Sequence, residues 1–140
     1  MKPQIILDTG PLVAMLNRYD TYYNWAIQQM ATVQSSVLTC EAVLSEAHFL
    51  LYNRGLNTQI IIKMVQKGLI KAPFHFNDEV NMIEQLMEKY ANVPMSFADA
   101  CLVRMTELYS NSIVLTLDSD FQIYRKHGNQ VIPTIMPDIH

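Results

Sequence analysis

The stretch Ile5-Ile6-Leu7-Asp8-Thr9-Gly10-Pro11-Leu12 decides how the rest of the chain is read. Its apolar run ends on a carboxylate and passes into a turn. A short apolar run bounded by Gly and Pro reads as a buried strand. A carboxylate at the end of a buried strand is costly unless something pairs with it. The chain supplies three more acids in similar apolar settings, and the four together point to a metal site.

Working outward, the first strand covers residues 4–8 and is followed by a turn at 9–11 and a short helical piece at 12–17. Asp20-Thr21 reads as the cap of a helix through Trp25, Ile27 and Met30. A short β-branched strand is expected at 36–39, then a helix over 41–53 closed by Arg54-Gly55. Asn57 or Thr58 opens the next helix, which runs to Gly68. Residues 71–76 read as a weak strand that Pro73 places near an edge. Asn77 caps a further helix, and Ser96 opens another that runs to Tyr109. The second strong strand, residues 113–117, also ends on an acid, Asp118. A short helix or turn over 121–126, a last strand over 131–135 and a tail complete the chain. Strands alternating with helices imply an α/β fold, with a parallel sheet between helices. Ligands of such sheets bind beyond the carboxyl ends of the strands, which is where Asp8 and Asp118 fall.

The 140 residues suit a single domain, 1–140, with a substantial core. Half of them are apolar and 16% are charged, a globular composition. No apolar run is long enough to cross a bilayer, and the start of the chain is too short and too acidic for a signal peptide, so a cytoplasmic setting is expected. Cys40 and Cys101 read as buried free thiols, too few and too isolated for a zinc site. The net charge of −3 argues against a general nucleic-acid binder. With four acids set aside as metal ligands, however, 9 of the 13 remain against 10 bases, and the surface is near neutral.

Each acid has an ordinary explanation beside the chemical one. Asp8 can cap a turn. Asp8-Thr9-Gly10 also matches the aspartic-protease motif, but that fold is all-β. Glu46 lies on the flank of the apolar stripe Val43, Ala47 and Leu50, where a boundary glutamate snorkels or pairs with a base. Asp99 completes a capping box with Ser96 but is surrounded by apolar residues. Asp118 begins a turn, and Asp120 reads as a cap or an accessory acid. Jointly the carboxylates would repel one another without a cation. Hard oxygen donors with no Cys or His at ligand spacing suit Mg2+ or Mn2+.

The order Asp8, Glu46, Asp99, Asp118 resembles the PIN-domain nucleases, including the VapC-like toxins of toxin–antitoxin pairs. Four local pieces carry the likeness: the opening Leu-Asp-Thr-Gly-Pro-Leu; Thr39-Cys-Glu-Ala-Val-Leu-Ser-Glu46-Ala; Ser96-Phe-Ala-Asp99-Ala; and Thr116-Leu-Asp118-Ser-Asp-Phe121. They span essentially the whole chain. The resemblance implies a three-layer α/β/α fold with a five-stranded parallel sheet of order 3-2-1-4-5. It further implies RNA cleavage dependent on Mg2+ or Mn2+, a homodimer and an antitoxin partner. The catalytic and metal-holding residues would be Asp8, Glu46, Asp99 and Asp118, with Asp120 accessory and Thr9, Ser96 and Thr116 lining the site. Glu41 is also acidic in the second motif, but a place at the helix N-terminus accounts for it.

Arg104, Arg125 and Lys126 are candidates for RNA contact; each alone reads as ordinary solvated charge, and Arg125, Lys126 and His127 as a group offer the better contact. His48 reads as structural. Two other functions compete. A haloacid-dehalogenase-type phosphatase wants a second Asp two residues after the first, where this chain has Gly10. A catalytically silent PIN-like module that binds protein or RNA would keep the fold without turnover.

Overall fold

A computed structural model describes residues 2–138. The strands are β1 (Gln4–Leu7), β2 (Val37–Leu38), β3 (Ile70–Lys71), β4 (Ser112–Leu115), β5 (Arg125–Lys126), β6 (Gln130–Val131) and β7 (Thr134–Ile135). Five of them form one parallel sheet in the order β3-β2-β1-β4-β7. Counting only these strands, the order is the 3-2-1-4-5 that the resemblance implies. The chain builds outward from β1 on one side, then crosses to add β4 and β7 on the other. β1 pairs with β4 from Gln4↔Ser112 to Leu7↔Leu115, which sets the carboxyl ends of both strands side by side. That reversal of strand order opens a crevice at their ends.

The helices flanking the sheet are α1 (Thr9–Met15), α2 (Tyr23–Ala31), α3 (Glu41–Asn53), α4 (Gln59–Gln66), α5 (Val80–Lys89) and α6 (Phe97–Leu108). No helix among the described residues is long and apolar enough to cross a membrane. α1 begins directly after Asp8, without the expected turn. The Asp8 carboxylate accepts the Thr9 N–H at 2.8 Å, and Pro11 sits in a first turn whose N–H groups have no helical partner. Asp20 accepts the Tyr22 N–H at 2.8 Å and so turns the chain ahead of α2, which itself lacks a side-chain cap. α3 has the expected bounds and is closed by Gly55 in the left-handed region, φ 70°.

Three expectations are corrected. The third strand is Ile70–Lys71, not 71–76: Pro73 has no N–H for the ladder, and pairing stops ahead of it. Asn77 lies inside a 3-10 turn, Phe76–Asp78, and α5 starts later, at Val80. The region 121–135 is neither a helix nor one strand. A 3-10 turn over Ser119–Gln122 leads into an antiparallel hairpin, with Arg125 opposite Val131 and Lys126 opposite Gln130. His127 (φ 51°) and Gly128 (φ 88°) make its bend, and β7 starts only after Pro133. Residues 136–138 carry no regular structure, and the last two residues of the expected tail lie outside the described residues.

Candidate active site

Four separate elements deliver acids to one cavity of about 630 Å³ at the carboxyl ends of β1 and β4. Asp8 comes from the end of β1, Glu46 from α3, Asp99 from the first turn of α6, and Asp118 and Asp120 from the loop after β4. Thr9 and Ser96 line the same cavity, and Gly10, Leu50, Pro94 and Leu117 supply apolar wall. Glu41 stays on the exposed first turn of α3 and away from the cavity.

Thr116 joins the two strand-end acids. Its hydroxyl donates to the second Asp8 oxygen at 2.7 Å and accepts the Asp118 N–H at 2.9 Å. Asp118 in turn accepts the Asp120 N–H at 2.9 Å, which shapes the following turn. On α6, Ser96 caps the helix by accepting the Asp99 N–H at 3.0 Å, while the Asp99 side chain faces the cavity. The capping role and the cavity role coexist.

Tyr124 carried no signal in the sequence. It is fully buried ahead of the hairpin, edge-on to Phe121 and Tyr90, and its hydroxyl donates to Asp99 at 2.8 Å. A tyrosine 25 residues beyond Asp99, in a segment read as a short helix or turn, gave no reason to pair the two. Cys40, at the start of α3, and Cys101, in the first half of α6, are buried free thiols, as expected.

The electrostatics record how the acids are held. Burial pushes the Asp8 carboxyl up to about 6, with repulsion from Asp99 and Asp118 adding to it. Hydrogen bonds from Thr116 and Thr9 pull the other way without winning. Asp99 is raised chiefly by burial and further by Asp118, against the Tyr124 hydrogen bond. Glu46, exposed at the rim, is raised by partial desolvation and by Asp99. Among the described residues no Lys or Arg lines this cavity.

Among the described residues no three His, Cys, Asp or Glu side chains are gathered as a ready-made metal-binding group. The donor type still fits a hard divalent cation. The cavity offers carboxylates and hydroxyls, Asp8, Glu46 and Asp99 resist their own charge, and the Thr9 hydroxyl is buried with no partner among the described residues.

The expected RNA-contact residues are not brought to the cavity. Arg104 forms ion pairs with Glu79 at 3.1 Å and Glu107 at 3.0 Å. The Arg125 guanidinium donates to the carbonyls of Gln122, Ile123 and Tyr124. Lys126 is buried, with its ammonium on the Ser110 carbonyl at 3.2 Å. His48 is exposed on α3.

Comparison with solved structures places this architecture. The chain is similar to the crystal structure of Mycobacterium tuberculosis VapC20, a toxin that cleaves the sarcin–ricin loop, with a TM-score of 0.70 over 86% of this chain and 94% of that one. The fold is PIN-like. Identity over the match is 21%, so the likeness is one of fold. No protein-family model matches the sequence, and no curated protein sequence matches it. The PIN-like architecture accounts for the way β1, α3, α6 and the β4 loop meet at one edge of the sheet.

Proposed function

We propose that this chain is a divalent-metal-dependent endoribonuclease acting as the toxin of a toxin–antitoxin pair. The observation that carries the reading is the convergence of Asp8, Glu46, Asp99 and Asp118 on one cavity at the strand-order reversal of a PIN-like fold. The likeness to a toxin that cleaves RNA supports the substrate class. Asp8, Asp99 and Asp118 would hold Mg2+ or Mn2+ with Glu46 from the rim and Asp120 as accessory. The ion, when bound, supplies an activated water and neutralises charge on the phosphate. The chain's own residues do the positioning. Thr116 fixes the Asp8 carboxylate, Ser96 fixes the start of α6, Tyr124 holds one oxygen of Asp99, and Leu50, Pro94 and Leu117 limit water in the cavity. A homodimer and an antitoxin that restrains the enzyme belong to the same proposal.

A second reading, a silent PIN-like binding module, draws on the absence of a ready-made metal-binding group among the described residues. One experiment separates the two. Cellular RNA is incubated with the protein and with Asp8→Asn, in Mg2+, in Mn2+ and in chelator. Cleavage that needs both the metal and Asp8 supports the nuclease. RNA that is bound but stays intact in every condition supports the module. Cleavage that survives Asp8→Asn sinks the site assignment.

A further inference from the structure

Among the described residues no Lys or Arg lines the acid cavity to meet a phosphate backbone, and Arg104, Arg125 and Lys126 are engaged elsewhere. A second cleft, of about 410 Å³, adjoins it and shares Gly10, Leu50 and Leu117 with it. The approach at this junction is close: a Cβ built on Gly10 would lie 3.2 Å from the Leu117 side chain. The second cleft is lined by Tyr19 and Arg54. Arg54 is the one Lys or Arg in the lining of either cleft and forms no ion pair among the described residues. Asp20 also lines this cleft, but its carboxylate accepts the Tyr22 N–H.

Helix α3 links the two clefts. Glu46, Leu50 and Arg54 follow one another at four-residue spacing and so lie along one face. At helical rise, Arg54 stands roughly 12 Å beyond Glu46, a span that a short stretch of single strand covers. Tyr19 is 80% exposed, yet it is not loose. The Arg18 guanidinium lies 5.1 Å from its ring centre and donates to its hydroxyl at 3.0 Å. An aromatic ring held in solvent by a neighbouring cation is a platform on which a base can stack.

We infer that this second cleft is the subsite for the single-stranded RNA flanking the cleaved bond, with Arg54 meeting a backbone phosphate and Tyr19 stacking on a base. The inference rests on the ribonuclease reading and adds to it a path and a direction. RNA runs from the acid cavity over the Gly10–Leu117 junction, along α3, towards its C-terminal end. Recognition is by charge and stacking, so the subsite tolerates different bases.

The test uses the full chain and a fluorescein-labelled, random-sequence single-stranded RNA oligonucleotide, read by anisotropy in chelator across a salt series. Cleavage of the same RNA in Mg2+ is followed in parallel. Arg54→Ala is expected to weaken binding about tenfold and to lower the salt slope by about 0.7. Tyr19→Ala is expected to weaken it by about five- to thirtyfold with the slope unchanged, and Tyr19→Phe to keep wild-type affinity. In cleavage, both weakened variants raise KM and leave kcat within about twofold. Lys67→Ala, an exposed change at the end of α4 and outside the lining of both clefts, serves as the control. Both tested residues are exposed, and far-UV circular dichroism confirms that the variants fold. A wild type that binds and cleaves beside Arg54→Ala and Tyr19→Ala proteins that do so equally well overturns the subsite and leaves the nuclease standing. A wild type that neither binds nor cleaves RNA overturns the nuclease, and the subsite with it.

Discussion

Helix α6 carries two clusters of charge within a turn and a half of each other. At its start, Asp99 faces Asp8, Glu46 and Asp118 in a cavity that no Lys or Arg among the described residues lines. Five residues on, Arg104 sits between Glu79 and Glu107, and both acids are answered by the same guanidinium. The two acids of the second cluster raise the arginine's affinity for its proton. In the first cluster burial instead pushes Asp8, Glu46 and Asp99 towards the neutral form, and repulsion from neighbouring acids adds to it. One helix therefore carries a closed ion-pair network and an open cluster of acids. The cavity's electrostatic cost is local, since on the same helix an arginine within reach pairs with both neighbouring acids.

The largest break of this contrast comes from Asp8→Asn. Cleavage should fall by about a thousandfold or more, since both a charge and a donor to the metal are lost. In chelator at pH 7.5 the same variant should be more stable than the wild type, on the order of 2–3 kcal/mol by urea denaturation, because the wild type holds a buried, repelled carboxylate there. A variant no more stable than the wild type would mean that Asp8 is better solvated than its burial indicates.

The pH dependence sharpens the same point. The Asp8 carboxyl is raised from an ordinary value near 3.8 to about 6. Its protonated form favours the fold, so this contribution is fully present below about 3.8 and is lost as pH rises through about 6. The stability gap between Asp8→Asn and the wild type should therefore be near zero at pH 4 and widen across pH 4–7. Saturating Mg2+ should shrink the gap at high pH by stabilising the wild type alone. A gap that is flat with pH would contradict the raised value.

Tyr124→Phe should have a smaller effect. It removes the donor on Asp99 and leaves the ring packing against Phe121 and Tyr90 in place. Mn2+ affinity, measured by calorimetry, should drop by about ten- to a hundredfold, the usual cost of losing an outer partner of a metal ligand. The acid limb of the cleavage pH profile should move upward, because that hydrogen bond lowers the Asp99 carboxyl. A variant that loses stability but keeps its metal affinity and pH profile would make Tyr124 purely structural.

Arg104→Ala should have the smallest effect on activity. Cleavage should stay unchanged, while stability should fall by roughly 1–3 kcal/mol because the nearly buried Glu107 carboxylate is left without the guanidinium. A large loss of activity would mean that the two clusters on α6 are coupled.

The strand-to-acid pattern at Asp8 and Asp118 was legible because both strands are buried runs that stop where the chain turns. Glu46 was legible from its place beside the α3 stripe, and Asp99 from the capping signature with Ser96. The basic residues were not. Nothing local tells Arg104 that Glu79 will meet it from 25 residues away, or Lys126 that the Ser110 carbonyl will enclose its ammonium. The hairpin escaped because its strands, Arg125–Lys126 and Gln130–Val131, are too short for an alternating pattern. With it went Tyr124, whose role exists only once the hairpin is folded against α6.

The pairing of β1 with β4 also governs when the cavity can exist during synthesis. Leu7 is made well before its partner Leu115, which follows 108 positions later. Until β4 arrives, Asp8 has neither the Thr116 hydroxyl nor the Asp118 loop beside it, and its carboxylate stays in water with ordinary acidity. Nascent chains that stop short of this pairing carry the first motif but no assembled centre. If the chain cleaves RNA as proposed, this order of events keeps the assembled centre from existing while the first part of the chain is still being made.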